Sequence, residues 1–124
     1  FLKIKIQGAK STNDAKKIGK SIANSPLFKT AMSGSDSNWG RIIMAVGKSG
    51  AKLDPDKLTL KFGKYIILQK GKKLNLANIN LINKYLRKPE IEITVDLDLG
   101  GYEWSTWTCD FTKEYVSINA DYRS

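Results

Sequence analysis

Two residue types that carry much of enzyme chemistry are missing or scarce in this chain of 124 residues. It contains no histidine and a single cysteine, Cys109. The first absence removes the commonest general base and the commonest metal ligand. Together they exclude Ser–His–Asp triads, Cys–His dyads, an internal disulfide and Cys-based structural zinc within the chain. One unpaired cysteine also favours a reducing compartment. Covalent catalysis would fall to Ser, Thr or Lys, which are weak nucleophiles at neutral pH unless a base lies within hydrogen-bond reach. A chain-terminal Thr can use its own α-amino group as that base, but the chain starts at Phe1, read as a processed or truncated end.

Three clusters remain as candidates. Lys29-Thr30 with the Ser33–Ser37 loop can line a polar pocket, although an ordinary loop is the simpler reading. Gly34-Ser35-Asp36-Ser37-Asn38-Trp39-Gly40-Arg41 packs side-chain hydrogen-bonders around a Trp and two Gly, which implies a tightly specified turn. Asp36 and Arg41 can pair there, as a structural corner or as part of a site. Trp104, Trp107, Phe111, Tyr115 and Tyr122 fall at strand spacing. They read as core and interface rather than base-stacking platforms, which would want Arg or Lys between them. The end, Ile118-Asn119-Ala120-Asp121-Tyr122-Arg123-Ser124, is rich in donors and acceptors for a terminus, where disorder is usual.

Length and composition fit one domain, residues 1–124, with 41% apolar and 27% charged residues. No stretch approaches the roughly 20 apolar residues a helical membrane span needs, and the alternating start is unlike a secretory signal. The net charge is +9. Residues 1–88 hold nineteen Lys/Arg against four Asp, and residues 89–124 hold two against eight acids. Such a split suits halves that lie against each other or against other acidic polypeptide. The cations are nearly all Lys, whereas base recognition leans on Arg, so most of them read as solvated surface.

The elements that would position these groups are legible as periodicities. Leu2–Gln7 alternates and predicts a strand ended by Gly8. Thr12 or Asn13 is the expected cap of a helix with Ala15, Ile18, Ile22 and Ala23 on one face. Ser25-Pro26 stops it, and Pro26 can open a short turn over Leu27–Met32. Asn38 can cap a helix over Trp39–Lys48 that buries Ile42, Ile43 and Val46, with a strand as the competing reading. Lys57–Phe62 and Tyr65–Gln69 predict a hairpin turning at Gly63-Lys64. A helix is expected over Ala77–Leu86 with Ile79, Ile82 and Leu86 inward. Strands are expected over Ile91–Leu97, Trp104–Phe111 and Tyr115–Ala120, with a turn at Gly100-Gly101. The fold class is α+β, a two-layer sandwich with helices packed on one face of a mainly antiparallel sheet.

Four segments, in order along the chain, closely resemble the ornithine acetyltransferase family, also called glutamate N-acetyltransferase, of arginine biosynthesis. They are Ser25-Pro26-Leu27-Phe28-Lys29-Thr30-Ala31, Gly34 through Ile42, Trp107-Thr108-Cys109-Asp110-Phe111-Thr112, and Ile118 through Ser124. Glu90 through Leu97 resembles the family's strand before the Trp-Thr-Cys-Asp segment. The resemblance implies a cytoplasmic enzyme made as a precursor that cleaves itself before a Thr, leaving α and β chains together as a heterotetramer of two each. The new terminal Thr takes acetyl from N-acetylornithine and passes it to glutamate in a ping-pong cycle. An α-chain Thr-Gly pair is implied to stabilise the oxyanion. No cofactor or metal is implied, and some members accept acetyl-CoA as donor.

By the same resemblance this chain is the C-terminal part of β and lacks the nucleophile, the oxyanion pair and a Glu just upstream. Two family substrate-binding positions map onto it, Asn119 and Ser124, and no catalytic residue does. A carboxamide and a hydroxyl can hold the amino-acid end of a substrate without acid–base chemistry. Ser124 stands where many members have Thr, and Gly101-Tyr102-Glu103-Trp104 is bulkier than the family's usual small residues. The expected partners are the α chain, the rest of β and the small-molecule substrates, with neither nucleic acid nor membrane. The alternatives are a basic nucleic-acid module and a non-catalytic interaction domain.

Overall fold

A computed structural model of the chain describes residues 2–25, 40–74 and 79–108. Alternation in the sequence becomes a two-faced sheet. In β1 (Leu2–Ala9), Leu2, Ile4 and Ile6 are buried while Lys3, Lys5 and Gln7 are half-buried on the opposite face. The same period of two runs through β2 (Thr59–Phe62), with Leu60 and Phe62 inward, and β5 (Ile91–Asp96), with Ile91, Ile93 and Val95 inward. β3 (Tyr65–Gln69), the two-residue β4 (Lys72–Lys73) and β6 (Tyr102–Thr108) complete a six-stranded sheet of order β4-β3-β2-β5-β1-β6. The β1–β5 pair is parallel and the other four pairs are antiparallel.

Helices cover the apolar face. Helix α1 (Thr12–Ala23) buries Ala15, Ile18 and Ile22, spaced for a single stripe. Helix α2 (Gly40–Gly47) buries Ile42, Ala45 and Val46, and α3 (Ile79–Tyr85) buries Ile82. These side chains join Leu2, Ile4, Ile6, Phe62 and Ile93 in one cluster, so the three helices share one face of the sheet. The Ser21 hydroxyl donates to the Ala45 carbonyl at 2.6 Å and ties α1 to α2. The α+β reading therefore holds, with one interior pair, β1–β5, parallel.

Several local expectations change. The cap of α1 is Ser11, whose Oγ accepts from the Asp14 amide at 3.0 Å, and not Thr12 or Asn13. Ser11 takes an extended backbone (φ −152°, ψ 159°), which frees its hydroxyl to face the first turn. The helix expected over Trp39–Lys48 is present over Gly40–Gly47, and its 3.6-residue stripe buries Ile42 and Val46 together. Ile43 is only half-buried, packed against the cluster. A short 3-10 turn at Pro55–Lys57, capped by Asp54, and strand β4 were not expected from the periodicity. The Leu27–Met32 turn, the Asn38 cap and the Tyr115–Ala120 strand lie outside the described residues.

The far end of β1 is held by one carboxylate. Asp96 accepts from the Gln7 side-chain amide at 3.0 Å through Oδ2, and from the Asp98 amide at 3.0 Å through Oδ1. Gly8 sits at φ +69°, and a Cβ there would run into Asp96 Oδ1 and the Asp98 backbone. Its carbonyl accepts from the Leu99 and Gly100 amides at 2.7 and 2.9 Å. The Leu97–Gly101 turn is thereby fixed to the end of β1, which aims β6 back along it.

Candidate functional site

Strand β6 carries the chain toward the terminal segment that the sequence marks out. Its side chains alternate, with Trp104, Thr106 and Thr108 half-buried and Glu103, Ser105 and Trp107 exposed. The Trp104 indole lies flat against α1 at Gly19, where a Cβ would overlap the ring. A glycine inside a helix costs about 1 kcal/mol relative to alanine, and here it makes room for that contact. The contact sets the distance between α1 and β6 and opens a groove beyond the ring.

That groove has a volume of about 350 Å³ and is lined by Lys20, Ala23 and Asn24 of α1 and by Trp104, Thr106, Trp107 and Thr108 of β6. Among the described lining residues the polar side-chain groups are an ammonium, a carboxamide, two hydroxyls and two indole N–H groups, with no carboxylate. Such a set can bind and orient a polar or anionic group, and it offers no general base. Trp107 is 60% exposed, with Lys3 Nζ 5.6 Å above its ring centroid. Of the aromatics expected in core and interface, Trp104 packs against the core and Trp107 stands exposed.

Asp96 lies at the other end of β1 from the groove, paired with Gln7 and not with Leu2 or Lys3. Both oxygens of Asp96 are already engaged in holding the turn. Among the described residues no three Asp, Glu or Cys side chains are grouped to hold a metal ion. No helix of the described residues is long and apolar enough to cross a membrane. Asn119 and Ser124, the two candidate substrate-binding residues, lie outside the described residues, as do Asp36, Thr30, Cys109, Phe111, Tyr115 and Tyr122. Arg41 is described, at the start of α2, but its pairing with Asp36 is not. Lys20, one of the lysines expected on the solvated face of α1, is exposed there and also borders the groove. Sequence reading had no signal for the groove, which exists only once α1 and β6 are brought together.

Comparison with known proteins bears on the whole chain. A family model described as the ArgJ family matches residues 1–124. The arginine biosynthesis bifunctional protein ArgJ of Brucella melitensis is 47% identical over 124 residues, covering all of this chain and 30% of that protein. Its counterpart from Zymomonas mobilis is 46% identical with the same coverage. The crystal structure of arginine biosynthesis bifunctional protein ArgJ from Bacillus halodurans superposes with a TM-score of 0.87 at 33% identity, over 98% of this chain and 57% of that one. The chain thus spans about 30% of the length of the curated relatives it matches. Matched from first residue to last by one family, and sharing its fold, the chain belongs to the ArgJ family of arginine biosynthesis bifunctional proteins.

Proposed function

We propose that this chain is the C-terminal β-chain portion of a cytoplasmic enzyme that moves acetyl from N-acetylornithine to glutamate. The transfer runs as a ping-pong cycle. A chain-terminal Thr outside residues 1–124, exposed by autocatalytic cleavage of the precursor, takes the acetyl group, and glutamate then receives it. The observation that carries this reading is the family match over residues 1–124. The chemistry of the described residues supports it. Their groove supplies hydrogen bonds and one ammonium, and no carboxylate is among its described lining residues.

In this reading the chain contributes packing and substrate handles, and by itself it is inactive. The Asn119 carboxamide donates to and accepts from the amino-acid end of the substrate, and the Ser124 hydroxyl adds a second anchor. The catalytic partners are the α chain and the remainder of β. Acetyl-CoA, where used, enters as an alternative donor. Substitution tests the division of labour. Asn119→Ala in the longer protein is expected to raise KM for N-acetylornithine by about tenfold, the loss of one or two hydrogen bonds, with less effect on kcat. Steady-state parameters equal to those of the parent protein would refute the role given to Asn119.

A further inference from the structure

A second groove, on the opposite side of the sheet's apolar layer from β6, is unused by the proposed reaction. It lies between the β2–β3 turn and α3, has a volume of about 520 Å³, and is lined by Lys64, Tyr65, Leu81, Lys84, Tyr85 and Lys88. Among the described residues, three lysines and no carboxylate line it. Two of the ammonium groups lie over aromatic rings, Lys64 Nζ 5.5 Å from the Tyr65 centroid and Lys88 Nζ 5.8 Å from that of Tyr85. The rings meet edge to face, 6.2 Å apart at 62°.

The wall is pre-formed. The Tyr85 hydroxyl accepts from the Glu92 amide at 2.8 Å, and its ring rests against Gly63. Leu81 is 50% exposed in the middle of this basic rim. Leu81 is the aliphatic side chain among the described lining residues and offers a contact point for an apolar group of a partner. Glu90 and Glu92, which follow α3 in the sequence, are not among the described residues that line the groove. Residues 1–88 carry a net +15, and the acids of the chain are concentrated beyond position 88.

We propose that this groove seats an acidic polypeptide segment with an apolar anchor, supplied by the part of the longer family protein that this chain does not span. The proposal rests on the reading of the chain as one portion of that protein. Its relatives are more than three times as long, the chain covering 30% of them, so polypeptide outside the matched region is available to fill the groove. Carboxylates of the segment pair with Lys64, Lys84 and Lys88, and its apolar residue covers Leu81 between the two tyrosines.

Lysine footprinting and carbodiimide cross-linking of the longer protein test this. Lys64, Lys84 and Lys88 are expected to react with an amine-acylating reagent about tenfold more slowly than the exposed Lys16 at low salt, and to recover as NaCl screens the pairing. At least one is expected to form a zero-length cross-link to an Asp or Glu outside residues 1–124. Leu81→Asp, at an exposed position, is expected to abolish the protection by placing a like charge against the segment. Reaction of all three at the rate of Lys16 would overturn the proposal, and so would cross-links only to residues 1–124 of the same or a second copy. Acetyl transfer assayed on the same preparation separates the two ideas. Its absence would count against the proposed function while leaving the cross-link result to decide the groove.

Discussion

Trp104 and Gly19 form a pair in which each explains the other. The indole needs a flat place on α1, and the helix gives up a side chain to provide it. Gly19→Ala is therefore expected to destabilise the protein by about 1–3 kcal/mol through overpacking, against the gain of about 1 kcal/mol that alanine brings to a helix. Urea denaturation measures the balance. Trp104→Leu should remove the conflict, so that Gly19→Ala becomes neutral or stabilising in that background. Additive effects of the two substitutions would show that the ring and the glycine do not interact. At this scale the sequence was only partly readable. Ser11, Thr12 and Asn13 are three capping residues in a row, and nothing in their types selects Ser11. The choice is made by where β1 ends and how the chain leaves Gly8. The pairing of Trp104 with Gly19 spans distant parts of the chain and has no local signature.

Elements were more legible than their ends. Strands β1 and β5 were read nearly residue for residue, because each buries one face and any slip would place Lys or Glu in the core. The hairpin of β2 and β3 followed from Gly63-Lys64 between two apolar runs. Helix α2 was less certain because Arg41-Ile42-Ile43-Met44-Ala45-Val46 is apolar enough for a buried strand. It resolves as a helix because Ser21 on α1 reaches the Ala45 carbonyl and Val46 packs inward with Ile42. The stability of α1 rests partly on its cap. Ser11→Ala is expected to cost about 1 kcal/mol, read as a lower denaturation midpoint, with Ser11→Asp recovering most of it. A silent Ser11→Ala would mean that Thr12 or Asn13 replaces the cap.

Across the whole molecule, the order of the strands could not be read from the chain. The one parallel pair joins β1 to β5, and the Gln7–Asp96 hydrogen bond across it links residues 89 positions apart. Periodicity says which face a strand buries but is silent about its neighbours. The candidate site was read in a different way. Asn119 and Ser124 came from the resemblance of whole segments, while residue chemistry alone said mainly what the chain lacks. In the proposed reading the chain belongs to a larger enzyme whose attacking hydroxyl lies outside residues 1–124. Incubating the longer protein with N-acetylornithine in the absence of glutamate, then mapping the acetylated peptide by mass spectrometry, tests this most directly. A single acetyl group on a chain-terminal Thr outside residues 1–124 is the predicted result, and an acetyl group carried by a residue within 1–124 would contradict it.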